Sequence, residues 1–441
     1  MRNPVFVVSV SEHPMRAAAR VDLKPWLWGL FLGMLALAPG NTKVAGAAWL
    51  LMGVLGVWAM FAHREWRPEA EEDKVVWRAA RLWLVFCAVA FIFKAIGVTY
   101  WGDPWRTRHF DMRVMLTALS LFFLVSRLKL TETRKVQLVG ALSVAAFVGF
   151  LVSYLHANHD VETPSNRINW AGGLVMLSWT LLPVLAMSHI HKRWRWMALF
   201  GVLLLWGAVL MSGARSAYLS LPWLIVFGAV LLVHTLRHRH WGRWLATGVT
   251  ALVMAWLVLY TMVPKVLEVP MHRVEIAVIE AHKAMLGDED GDRDVDTPVG
   301  SRLYMWQRSI EVFKESPWIG YGRKQRIAFI KAWGKEANAH IVSDQSHLHS
   351  EYINGMVDHG LVGLASTLTY MLGLVAVALT LRREFPLMAL SIGGIAFTHI
   401  TMSLTNANSQ TNNYSVVFGL ALTVVFQLRA SRHGTRLQQQ P

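Results

Sequence analysis

A chain of 441 residues that is 54% hydrophobic and only 16% charged, with 21 Trp and 20 Met, carries more apolar surface than a soluble fold of this size can hide from water. A soluble globular protein is excluded, and the composition points to an all-α, polytopic membrane helical bundle. The formal net charge of +15 fits either nucleic acid or anionic lipid as a partner, and the placement of the basic residues decides between them.

In chain order, residues 1–25 have no long apolar core followed by a small-residue cleavage site, so they read as a retained tail rather than a signal peptide. Twelve apolar stretches follow, near 26–39, 44–62, 82–101, 113–126, 136–156, 169–188, 196–211, 216–234, 244–263, 360–381, 387–403 and 413–428. Most approach the roughly 20 residues needed to cross a ~30 Å hydrocarbon core. Basic residues alternate across them. The segments 1–25, 63–81, 127–135, 189–195, 234–243, 381–386 and 429–441 hold 24 Lys plus Arg, whereas the short loops on the other side hold 6. By the positive-inside rule both termini are expected in the cytoplasm. The charge is then an orientation signal facing membrane lipids, and no nucleic-acid partner is expected. Lys94 is the one ionisable residue read inside a span.

This predicts three regions: a nine-span bundle over 1–263, a large outer loop over 264–359, and three spans with a cytoplasmic tail over 360–441. The loop carries 12 Lys plus Arg, which does not disturb the topology because long loops translocate regardless of charge. The lone cysteine, Cys87, falls in the third span, so no disulfide within the chain is expected.

Within the loop, Val269 to Leu286 has apolar residues near helical spacing (Val274, Ile276, Ala277, Val278, Ala281, Met285) and stops at Gly287. The acidic run Asp288 to Asp296 resembles a calcium loop but lacks the glycine at position six and the glutamate at position twelve, so it reads as a solvated hairpin. Ser301 to Glu315 predicts a second helix with Leu303, Trp306, Ile310 and Phe313 on one face, ended by Pro317. Trp318 to Gly322 predicts a turn, and Gln325 to Ala337 a third helix leading to Ser346-His347-Leu348-His349-Ser350-Glu351.

Several outer-side residues suit chemistry on an anionic substrate. Arg215, in the tight connection Met211 to Leu219, has the side chain best shaped to grip phosphate oxygens; a lone boundary arginine otherwise snorkels or caps a helix. Arg302 and Arg167, the latter beside Asn169, fall on the same side. Arg106, Arg108 and Arg113, near Trp101 and Trp105, read as interfacial anchors. His349 is a candidate general base, because a neutral imidazole takes a proton from an attacking hydroxyl at neutral pH. The bland alternative is a hydrogen-bonded surface histidine. His347, His349 and Glu351 alternate without a second clustered set of ligands, so no metal and no cofactor are expected. Trp306 and Tyr352 could stack on sugars or simply pack.

Together these features resemble the O-antigen ligase and polymerase superfamily of polytopic bacterial glycosyltransferases. The resemblance rests on the plan of about twelve spans with one large loop, and on three motifs in order: Arg215-Ser216-Ala217-Tyr218-Leu219; Arg302 and Trp306 followed by Pro317-Trp318-Ile319-Gly320-Tyr321-Gly322; and His349 with ten residues to Gly360. Where many members have Asn after the histidine, this chain has Ser350. The resemblance implies a GT-C type bundle in the bacterial inner membrane with a periplasmic active site. It also implies an undecaprenyl-diphosphate-linked glycan as donor and lipid A-core as acceptor, in an inverting, metal-independent ligase of lipopolysaccharide biosynthesis. His349 and Arg215 would be catalytic, with Arg302, Arg167, Asn169, His347 and Tyr352 binding substrate. A polymerase of the superfamily typically has two substantial loops, and a protein O-glycosyltransferase carries additional C-terminal sequence, so the ligase is preferred. A transporter would place ionisable residues at mid-membrane on broken helices.

Overall fold

The computed structural model describes residues 24–62, 71–104, 118–121, 131–159, 161–187, 190–236, 265–286, 295–408 and 411–428. Both chain ends, the expected ninth span, most of the fourth, Trp105, Arg106, Arg108, Arg113 and most of the acidic run lie outside them.

The described elements are helices, with no strand among them. The first bundle comprises α1 (Lys24–Leu37), α2 (Thr42–Ala62), α3 (Glu71–Tyr100), α4 (Glu132–His159), α5 (Arg167–Leu185), α6 (Lys192–Met211), α7 (Arg215–Tyr218) and α8 (Leu221–Leu236). The loop region holds α9 (Lys265–Leu286), α10 (Gly300–Glu315), α11 (Gly322–Glu336) and α12 (His340–Ser343). The chain then returns through α13 (Glu351–Leu381), α14 (Pro386–Thr405) and α15 (Asn412–Gln427). Six of these are long and apolar enough to cross a membrane, and four shorter apolar helices accompany them. The all-α polytopic expectation holds.

The bundle is built around α5. Of its most apolar window, 89% is buried by other helices, which is why it is apolar on every face and shows no polar stripe. It packs against α4, α6, α14 and α15, while α13 lies along α3. Tryptophans fill this interior, and the N–H groups of two of them are satisfied, as burial away from water requires. Trp170 donates to the Pro39 carbonyl at 2.8 Å and Trp179 to the Thr398 hydroxyl at 2.8 Å. The helices approach closely where a side chain is missing: Gly172 faces Met402 and Tyr414, and Gly394 faces the Trp179 ring.

The sequence counted Lys94 alone as ionisable within a span, and the structure corrects this. His399 lies within α14, fully buried, with Nε2 3.6 Å from Glu351 Oε2 and Nδ1 3.0 Å from the Tyr414 hydroxyl. Glu351 also accepts from the Ser403 hydroxyl at 2.9 Å. A buried acid and imidazole are tolerated here because each has polar partners.

The loop region has its own small core of Met305, Ile330, Trp333, Ala339, Val342, Leu348 and Val357. Its helices fall where the sequence put them, but the second is turned differently. The buried stripe of α10 is Ser301, Met305 and Ser309, and Ile310 is 49% exposed. Small serines let α10 approach its neighbours closely, and the expected Leu303-to-Phe313 stripe stays only partly covered.

The loop is locked to the bundle at a break in α13. His359 and Gly360 leave helical geometry, with Gly360 at φ +61°. The helical bond from Leu361 N to Val357 O is exchanged for two others: Leu361 N donates to Pro317 O at 2.7 Å, and Tyr321 N donates to Val357 O at 2.9 Å. Gly320, at φ +64°, faces the Val357 carbonyl, and Gly360 faces the Trp318–Ile319 backbone, so neither position has room for a Cβ.

Candidate functional site

The site forms where the connection between α6 and α8 meets the loop helices. Gly213, at φ +64°, turns the chain after α6, and the Ser212 hydroxyl accepts from Ala214 N at 3.3 Å, which sets Arg215 at the start of the single turn α7. The amphipathic α9 then delivers two residues that the sequence reading passed over, Arg273 and Glu280. Glu280 accepts from Val299 N at 3.1 Å, fixing the entry to α10, and its Oε2 lies 3.7 Å from Arg215 Nη1. Arg302, in the first turn of α10, is within electrostatic reach of both Arg215 and Glu280. Arg167, at the start of α5, is within reach of Arg215 and Arg273.

Four guanidinium groups from four elements therefore share one locale, with Glu280 as the carboxylate facing them. Burial and then the neighbouring Arg215 lower the pKa of Arg302, the direction expected of cations gathered without enough counter-charge. Such a cluster has the charge to receive a multiply charged anion with oxygens in several directions.

His349 and His347 close the site. Their rings meet edge-on at 4.2 Å. Burial, then His347 and Arg302, push the His349 pKa down to about 3; burial, then Arg326, push that of His347 down to about 4. Both are neutral at neutral pH. His349 holds a left-handed backbone at φ 51°, which costs a residue with a Cβ about 1–2 kcal/mol. The surroundings enforce it. Trp306 Nε1 donates to the Leu348 carbonyl at 2.7 Å, and Leu348 N donates to Asn354 Oδ1 at 2.9 Å. The same oxygen accepts from Arg326 at 2.7 Å, and Arg326, buried at 1% exposure, pairs with Asp358 at 3.2 Å. Trp306 thus packs and pins.

Ser350 has a structural task, as the N-cap of α13 accepting from Ile353 N at 3.4 Å. Side-chain amides reach the His349 ring from elsewhere. Gln345 Oε1 lies 2.7 Å from Nε2, and the Asn406 side chain, an acceptor toward the ring, raises its pKa against the larger lowering effects. Asn406 in turn donates to Asn169 and, at 2.9 Å, to Asn408. Asn169 thereby joins the site through Asn406.

The structure thus gathers Arg215, Arg302, Arg167, His347 and His349, with Asn169 behind them. Tyr352 is engaged inside the bundle, its hydroxyl donating to the Ile400 carbonyl at 3.1 Å and lying 2.9 Å from Met371 Sδ. Of the residues missed, Arg273 carried a faint signal, as an arginine on the polar face of a helix otherwise rich in Val and Ile. Arg326 and Gln345 carried none. Among the described residues, no three His, Cys, Asp or Glu side chains converge as a metal site.

Fold and site define a multi-pass, all-α membrane protein with a cationic cage beside buried neutral imidazoles. Residues 200–368 match the family model described as O-antigen ligase, so over this segment the chain is similar to that family. The matched segment contains Arg215, Arg273, Arg302, His347 and His349. A comparison with curated proteins finds no match.

Proposed function

We propose that this protein is an inner-membrane O-antigen ligase, transferring a glycan from undecaprenyl diphosphate to a sugar hydroxyl of lipid A-core on the periplasmic face. The observation that carries this reading is the cage of Arg167, Arg215, Arg273 and Arg302 beside His349. Diphosphate needs several charge-assisted donors, and the acceptor hydroxyl needs a neutral base next to them.

The acceptor oxygen attacks the anomeric carbon from the face opposite the diphosphate, and its proton passes to His349. The bond from the anomeric carbon to the phosphate oxygen breaks, and configuration is inverted. Arg215 and Arg302 neutralise the charge that develops on the departing diphosphate, a role in which preorganised cations contribute several kcal/mol. Protonated His349 then returns its proton to water. Since arginines fill the place that a divalent ion takes in many diphosphate-releasing enzymes, transfer is expected to survive EDTA.

The test is transfer by purified protein in detergent, from a polyprenyl-diphosphate-linked glycan to lipid A-core, with His349→Ala and Arg215→Ala alongside. Conjugate formed by the wild type and lost in both variants, at unchanged expression, is the expected result. Lengthening of the lipid-linked glycan without conjugate would make the protein a polymerase.

A further inference from the structure

The general-base reading leaves open which imidazole nitrogen accepts the proton. The two hydrogen-bond partners of the Gln345 side chain answer this. Its Nε2 donates to the Ile341 main-chain carbonyl at 3.0 Å. A carbonyl can only accept, so the amide nitrogen must sit there and the amide oxygen must be the atom 2.7 Å from His349 Nε2. An amide oxygen also only accepts, which obliges His349 Nε2 to carry the hydrogen. The lone pair then belongs to Nδ1, which is buried and makes no hydrogen bond of ordinary geometry, the Asn406 amide acting on the ring only more weakly.

We propose that Gln345 is a positioning residue that holds His349 in its Nε2–H tautomer, so that Nδ1 is the atom that takes the proton from the acceptor hydroxyl. This rests on the transferase reading above. The acceptor O–H bond breaks as the bond from oxygen to the anomeric carbon forms, and the pair in the bond to phosphate leaves with the diphosphate. The proton moves to Nδ1, giving an imidazolium whose Nε2–H is already held by Gln345, and is then lost to water. The holder is itself held: α12 carries Ile341, and Ile341 N donates to Asp296 Oδ1 at 2.6 Å. His347 and Arg302 face the ring as cationic or potentially cationic groups, and Asn406 as a second amide.

Two substitutions separate this role from plain packing. Gln345→Leu removes the acceptor. It is expected to lower kcat roughly 10- to 100-fold, within the range that a correctly held general base contributes, with donor KM little changed. Gln345→Glu keeps an oxygen acceptor and adds negative charge beside the imidazolium. It should retain activity and move the acid limb of the kcat/KM profile to higher pH, against the opposing influence of Arg302 and His347. A merely structural glutamine would change yield and thermal stability in both variants and leave the acid limb in place. Wild-type kcat in Gln345→Leu, or an unmoved acid limb in Gln345→Glu, would overturn the proposal while the ligase reading stands, provided His349→Ala is inactive. A wild type that transfers nothing would overturn the ligase reading and this inference with it.

Discussion

Arg326 shows how much of the site is support. Its guanidinium is buried against Asp358 and Asn354, and through Asn354 it steadies the main chain between the two histidines. Replacing it with alanine leaves Asp358 without its cation, a change that costs about 3–5 kcal/mol when a buried pair loses one member. Arg326→Ala is therefore expected to lower the thermal unfolding temperature sharply, whereas Arg302→Ala should leave it nearly unchanged and remove activity. Calorimetry beside the transfer assay distinguishes the two. The arginines that belong to the cage were legible in part. Arg215, Arg302 and Arg167 stand at span or helix starts, where a charge needs a reason, but Arg273, Glu280 and Gln345 gain meaning only from partners far along the chain.

At the scale of elements, local chemistry was readable and orientation was not. Gly287 and Pro317 mark helix ends because one frees the backbone and the other removes a donor, and α9 and α10 stop beside them. The face that α10 buries depends on what packs against it, and two serines outweigh an apolar stripe. Helix α13 was read as starting at Gly360, whereas it begins at Glu351 and breaks there. The break can be tested with Gly360→Ala. A left-handed backbone with a Cβ costs about 1–3 kcal/mol, before counting contact with the Trp318–Ile319 backbone. Faster proteolysis within residues 300–350 than in the wild type, at unchanged membrane insertion, is the expected outcome.

For the whole molecule, acidity is the condition to vary. His349 and His347 bind protons near pH 3 and 4 when folded but near 6.5 when the chain is unfolded. Between those values the unfolded chain holds more protons, so their contribution to stability is complete above about pH 6.5 and is lost as pH falls toward 3. Melting curves recorded across that window should drop toward acid, and the drop should be smaller in a His347→Ala, His349→Ala double variant; parallel curves would place the titration elsewhere.

The exchange of hydrogen bonds around Gly320 and Gly360 also constrains how substrates arrive. Lifting the loop helices off α13 would strand the Val357 carbonyl and the Leu361 amide at the end of an apolar helix, where little water is available to replace Tyr321 and Pro317. The loop region is thus a fixed roof rather than a lid. For the transfer proposed above, substrates would then have to reach the arginines between helices, without the loop lifting away.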